Sequence, residues 1–133
     1  MKYPESFDDI YVDDEEDLAA LEPAVATAVL LHALEAEVNN GGFDQFFLNT
    51  SGRFAQQTVE ALHAVGADHT SKLLESAIAI AYPGGYPENA ADHENTADSE
   101  EALDALGELD EQFLEYEDPL TDLVNEYLER HAG

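Results

Sequence analysis

A chain of 133 residues has the size of one compact domain. Without a cysteine it has no disulfide, no thiolate catalysis and no cysteine-ligated zinc. Its 31 acidic residues against 4 basic ones give a net charge of -27, which repels nucleic acid and anionic membrane and directs any macromolecular partner toward a basic surface.

Such acidity is common in disordered chains, but 44% of the residues are hydrophobic and the apolar ones recur with helical period, so order is expected over most of the length. The first residues lack an apolar run of signal-peptide length, and no run of about 18 apolar residues occurs anywhere, so a cytoplasmic protein is the default expectation. The carboxylates are unevenly placed: they crowd residues 1–22 and 88–129 and are sparse between. The middle therefore reads as core and the flanks as surface.

In chain order, residues 1–16 read as a partly ordered acidic arm, followed by an all-helical domain over 17–133. Tyr3, Phe7, Ile10, Tyr11 and Val12 can dock the arm while Asp13, Asp14, Glu15, Glu16 and Asp17 stay solvated as one acidic patch. From Pro23 to Val38 the chain is Ala- and Leu-rich and apolar on nearly all sides, which predicts a central helix. Asn39, Asn40, Gly41 and Gly42 are expected to end it, since Asn and Gly accept left-handed backbone. Phe43, Phe46 and Phe47, at i, i+3 and i+4, predict a buried aromatic cluster on a short helical turn, with a turn and cap over residues 49–52.

Phe54, Ala55, Thr58, Val59, Leu62 and Val65 trace a helix face that Gly66 closes. Asp68 is expected to cap a second, antiparallel helix with the face Leu73, Leu74, Ala77, Ile78 and Ala81. Residues 83–97 read as an exposed loop. Asp98 or Ser99 caps a helix whose face is Ala102, Leu103, Leu106, Leu109, Phe113 and Tyr116, with a bend expected near Gly107. Asp118-Pro119 reads as cap and first-turn proline of a last helix bearing Leu120, Leu123, Val124, Tyr127 and Leu128. The expected fold is all-α: one compact domain of five to seven helices around a central apolar one.

No phosphate-cradling glycine loop, G-x-S-x-G, H-E-x-x-H or calcium-loop pattern occurs, and no enzyme function, metal or cofactor is expected. His32, one turn before Glu35, reads better as a hydrogen-bonded structural histidine than as a ligand.

The stretch from Glu37 to Asn49, with Asn39-Asn40-Gly41-Gly42-Phe43 followed by Gln45-Phe46-Phe47 and Asn49, resembles the DNA-mimic-protein family, long catalogued as a domain of unknown function. The resemblance continues through Gly66-Ala67, Ala81-Tyr82-Pro83 and Leu109-Asp110-Glu111-Gln112-Phe113 to Tyr127 and His131, covering about residues 17–131. It implies an all-helical acidic protein that displays carboxylates in place of DNA phosphates and occupies the DNA-binding face of a transcription regulator. The motif residues themselves read as fold-making; mimicry would reside in surface acids that the motif does not specify.

Glu100, Glu101, Asp104, Glu108, Glu111 and Glu115 form a ladder that approximates one phosphate row, less densely, and together with Asp13 to Asp17 they are the expected partner-binding surface. The expected partner is a basic DNA-binding protein, with a homodimer left open and neither nucleic acid nor membrane bound directly. Two alternatives stand beside it: salt adaptation without a particular partner, and an immunity- or antitoxin-like inhibitor of a basic nuclease.

Overall fold

The computed structural model describes residues 2–48, 53–83, 85 and 99–131. Among them a 3-10 turn at Glu5–Phe7 precedes six α-helices: α1 (Glu15–Ala19), α2 (Pro23–Leu48), α3 (Ala55–Val65), α4 (Asp68–Ala81), α5 (Glu100–Leu114) and α6 (Leu120–His131). Among the described residues there is no strand, and the fold is all-α. The expected turn at 49–52, Asn49 included, and most of the expected loop at 83–97 lie outside the described residues.

α2 is the axle, touching the 3-10 turn and all five other helices. Consecutive Ala28, Val29, Leu30 and Leu31 are all buried, which places apolar side chains around its whole circumference. The expected stop at residues 39–42 narrows to one residue. Helical geometry persists through Asn39, Asn40 and Gly41, and only Gly42, at φ 78° and ψ -175°, leaves it before the helix resumes at Phe43. The two Asn therefore do not close the helix as expected. Beyond the kink Phe43, Phe46 and Phe47 are each fully buried, packing edge-on against Phe113, one another and Tyr82 at 5.8, 5.2 and 5.6 Å. Burying each ring contributes roughly 1.5–3 kcal/mol before entropy is counted.

α3 and α4 form the expected hairpin. Gly66 is left-handed at φ 86°, and the Ala67 N–H donates back to the Leu62 carbonyl at 2.8 Å, a helix-closing geometry that favours glycine. The expected cap at Asp68 is corrected: the residue before α4 is Ala67, which has no side chain to cap it, and Asp68 is already helical. Ser99 caps α5 as expected, accepting from the Ala102 N–H at 3.1 Å, and α5 runs through Gly107 as one helix. Its core face holds Leu106 and Phe113, while Leu103 is 42% exposed and falls outside it.

The N-terminal arm is tied into the same core. Tyr3 and Phe7 are buried, Ile10 and Val12 half-buried, but Tyr11 is 80% exposed and does not dock. Asn125 on α6 holds the arm by treating it as backbone. It accepts from the Tyr3 N–H at 2.9 Å and donates to the Tyr3 carbonyl at 2.9 Å.

Candidate protein-interaction surface

Helical geometry sets the ladder. At 3.6 residues per turn, residues 100, 101, 104, 108, 111 and 115 fall within about 100° of circumference, turned away from the stripe that buries Leu106 and Phe113. All six side chains are exposed. No basic residue stands in the last turn of α5, so Glu111 and Glu115 face the negative end of the helix dipole, an arrangement that opposes helix stability. Neighbours such as Glu100 with Asp104 and Glu111 with Glu115 are also like-charge pairs one turn apart, each a further small cost. Glu100 and Glu101, by contrast, stand in the first turn of α5, where the dipole favours acids.

The second patch is of another kind. Asp13, Asp14, Glu15, Glu16 and Asp17 are all exposed. Two of them also start α1: Asp14 accepts from the Asp17 N–H at 2.8 Å, and Asp17 accepts from the Asp13 N–H at 3.1 Å. α1 packs on α2, whereas α5 packs on α2 and α4.

Three carboxylates that point inward were not anticipated in their roles. Asp110, on the inner flank of α5, accepts from the Phe43 N–H at 2.7 Å and so caps the second half of α2 across the kink. A Cβ on Gly42 would overlap the Asp110 carboxylate, so the glycine and the acid form one joint. Burial pushes the Asp110 carboxyl above its ordinary value, the Phe43 N–H pulls it back, and Asp44 raises it again. Asp118 accepts from the Thr70 N–H at 2.7 Å. It caps α4, not its own helix as the Asp-Pro pair suggested, while the Pro119 carbonyl accepts the Leu123 N–H.

Glu35 is the third. Burial raises its carboxyl, and the Tyr116 hydroxyl, donating at 3.0 Å, counters this. Tyr116 lies beyond α5 at φ 49° and accepts from the Asn39 side chain at 2.9 Å. Burial raises the Tyr116 phenol, the Asn39 hydrogen bond opposes that, and Glu35 adds to it. Asn39 also donates to the Glu35 carbonyl at 2.7 Å, so it links α2 to the end of α5. Asn40 donates to Gln45 at 3.3 Å, and Gln45 lies over Gly41, where a Cβ would meet it.

Three of the histidines meet acids too. His32 pairs with Asp8 at 2.9 Å, fastening the arm to α2, and His69 pairs with Glu117 at 2.7 Å. His63 lies 3.5 Å from Asp68 and 3.8 Å from Glu75. Among the described residues no three His, Asp or Glu side chains converge in a way that could hold a metal ion. No helix is long and apolar enough to cross a membrane among those residues.

The class these features define is a small all-helical bundle with an acidic shell and inward carboxylates at its helix joints. The profile of the DMP19-like protein family matches residues 19–131, and the chain belongs to that family. No curated protein and no solved structure gives a significant match.

Proposed function

We propose that the protein is a DNA mimic, an acidic decoy that occupies the basic surface of a DNA-binding protein such as a transcription regulator. The observation that carries the reading is the α5 ladder, six exposed carboxylates on one face with no basic residue on the helix. From residue 100 to 115 the helix rises about 22 Å. Over that distance one DNA strand presents about six or seven phosphates, so the two rows carry comparable charge. Family membership supports the same reading.

The test is affinity capture from the native host at low and moderate salt, followed by elution with duplex DNA. The expected result is a basic DNA-binding protein that is lost as salt rises, displaced by its own DNA, and not retained by a variant with all six ladder acids changed to Gln or Asn. Retention by that variant overturns the reading.

Salt adaptation is the second reading, favoured by the presence of only 4 basic residues. It requires acids on every exposed face, whereas α3 and α4 carry only Glu60, Asp68 and Glu75. Unfolding in low salt separates the two readings: the decoy folds there, and a salt-adapted chain needs molar salt to fold.

A further inference from the structure

Electrostatic attraction accelerates encounter and repels wrong-sign partners, but it does not by itself distinguish one basic protein from another. Short-range discrimination comes from a few buried anchors that seat in a desolvated pocket. The molecule has a candidate pocket away from the α5 ladder. Where the N-terminal arm crosses α2 and the start of α3, an open groove of about 520 Å³ is floored by Val29, Ala33 and Ala36 and walled by Ile10, Val12 and Phe54. Its volume falls in the range of about 300–1,000 Å³ typical of ligand pockets. Ala33 and Ala36 leave the space that larger side chains would fill.

The rim carries a net negative charge. Among the described residues Asp8, Asp13 and Glu37 line it together with His32, which pairs with Asp8, and Arg53 stands beside it, donating to the Asp13 carbonyl at 3.2 Å. Tyr11 also lines the groove yet keeps 80% of its surface in solvent, the largest exposure among the big apolar side chains of the described residues. An apolar floor, a rim of carboxylates and an exposed aromatic ring at the mouth are complementary to one kind of occupant: an apolar side chain flanked by cations. Anionic ligands and acidic peptides are repelled at the rim.

We infer that this groove is an anchor site for an amphipathic basic segment of the protein partner, seating a Leu- or Trp-sized side chain on Val29, Ala33 and Ala36 while flanking Arg or Lys side chains meet Asp8 and Asp13. The inference rests on the decoy reading and adds the element that selects among basic proteins. The ladder attracts, and the groove discriminates.

The chain has no Trp, so tryptophan emission from a peptide reports on the groove without background. The probe is a helical peptide with Arg and Lys on one face and Leu with a single Trp on the other. A fluorescein-labelled peptide of equal charge, built from Arg and Ser, is the control. The Trp emission is expected to shift to the blue on binding, and binding is expected to persist in part at 1 M salt, where the Debye length is about 3 Å. Filling the floor with Ala33→Leu and Ala36→Leu together is expected to weaken the amphipathic peptide by about tenfold or more and leave the Arg–Ser peptide unchanged. Tyr11→Ser, at an exposed position that cannot unfold the chain, is expected to weaken the same peptide several-fold with unchanged circular dichroism.

Emission that stays at the value of the free peptide overturns the inference. So does wild-type affinity in both the floor-filled variant and Tyr11→Ser. Whether the wild-type protein displaces duplex DNA from a basic DNA-binding protein is read separately, and failure there removes the decoy reading, not the groove.

Discussion

The α3–α4 hairpin and the α5–α6 segment both pack on α2, and each buries an apolar face, but they meet solvent differently. The first carries Glu60, Asp68 and Glu75 with Lys72 among them; the second carries the six-acid ladder and adds Glu117, Asp122, Glu126 and Glu129. A helix on this core therefore needs few carboxylates to fold. On α5 the like-charge neighbours, and Glu111 and Glu115 at the negative end of the dipole, act against helix stability, while Glu100 and Glu101 in the first turn favour it. The α5–α6 segment also holds a second population, Asp110 and Asp118, which turn inward and cap helices far away in sequence. Outward acids serve the surface and inward acids serve the joints.

The largest expected effect strikes the joint. Gly42→Ala must place a Cβ at φ 78° and against the Asp110 carboxylate, and is expected to destabilise by more than about 2 kcal/mol in urea unfolding. A wild-type midpoint would break the claim that Asp110 and Gly42 form one unit.

Neutralising the six ladder acids is expected to raise the melting temperature at low salt. Each relieved like-charge pair contributes about 0.2–0.5 kcal/mol, and the gain shrinks as salt is added. Changing Glu60 and Glu75 to Gln on the hairpin is expected to leave the melting temperature unmoved. Equal gains from both regions would erase the distinction between them.

Asp118→Ala and Asp110→Ala are each expected to cost about 1 kcal/mol, the usual loss for a cap. Hydrogen exchange is expected to quicken at the start of α4 for the first and beyond the kink of α2 for the second.

The smallest effect is in pH. Burial raises the Asp110 and Glu35 carboxyls in the folded state, so between their ordinary and raised values the native protein holds protons that the unfolded chain has released. Stability therefore falls as pH rises through that window, and the penalty is absent below the ordinary carboxylate value. Asp110→Asn keeps an oxygen for the Phe43 N–H and is expected to flatten part of that slope. An unchanged slope in urea unfolding measured across the window would contradict the assignment to Asp110.

Much of the fold was legible in the sequence because it is written in local periods. The apolar spacing on α3, α4, α5 and α6, Ser99 as a cap and Gly66 as a stop all depend on residues within one or two turns. What escaped depends on distance. Asp118 reads as the cap of the helix beside it, and only the packed bundle shows its carboxylate on Thr70, 48 residues away. Asp110 sits within the family-like stretch without any local sign that it reaches Phe43, and Asn125 gives no hint of Tyr3. The sequence places the kink within four residues, but local propensity does not show that Asn39, Asn40 and Gly41 stay helical, because one of the Asn39 contacts, to the Tyr116 hydroxyl, comes from the far end of α5. The ladder was legible as spacing, and its exposure follows from the apolar stripe opposite.

The central claim is that the position of the α5 carboxylates matters, beyond their sum. The most direct measurement compares two variants of equal charge for affinity toward the captured DNA-binding protein at fixed salt. One changes Glu100, Glu101, Asp104, Glu108, Glu111 and Glu115 to their amides; the other does the same to Glu5, Asp9, Glu22, Glu60, Asp122 and Glu129, all exposed and all off α5. Loss of binding in the first with retention in the second is the predicted result, and an equal loss in both, with affinity following net charge alone, would contradict it.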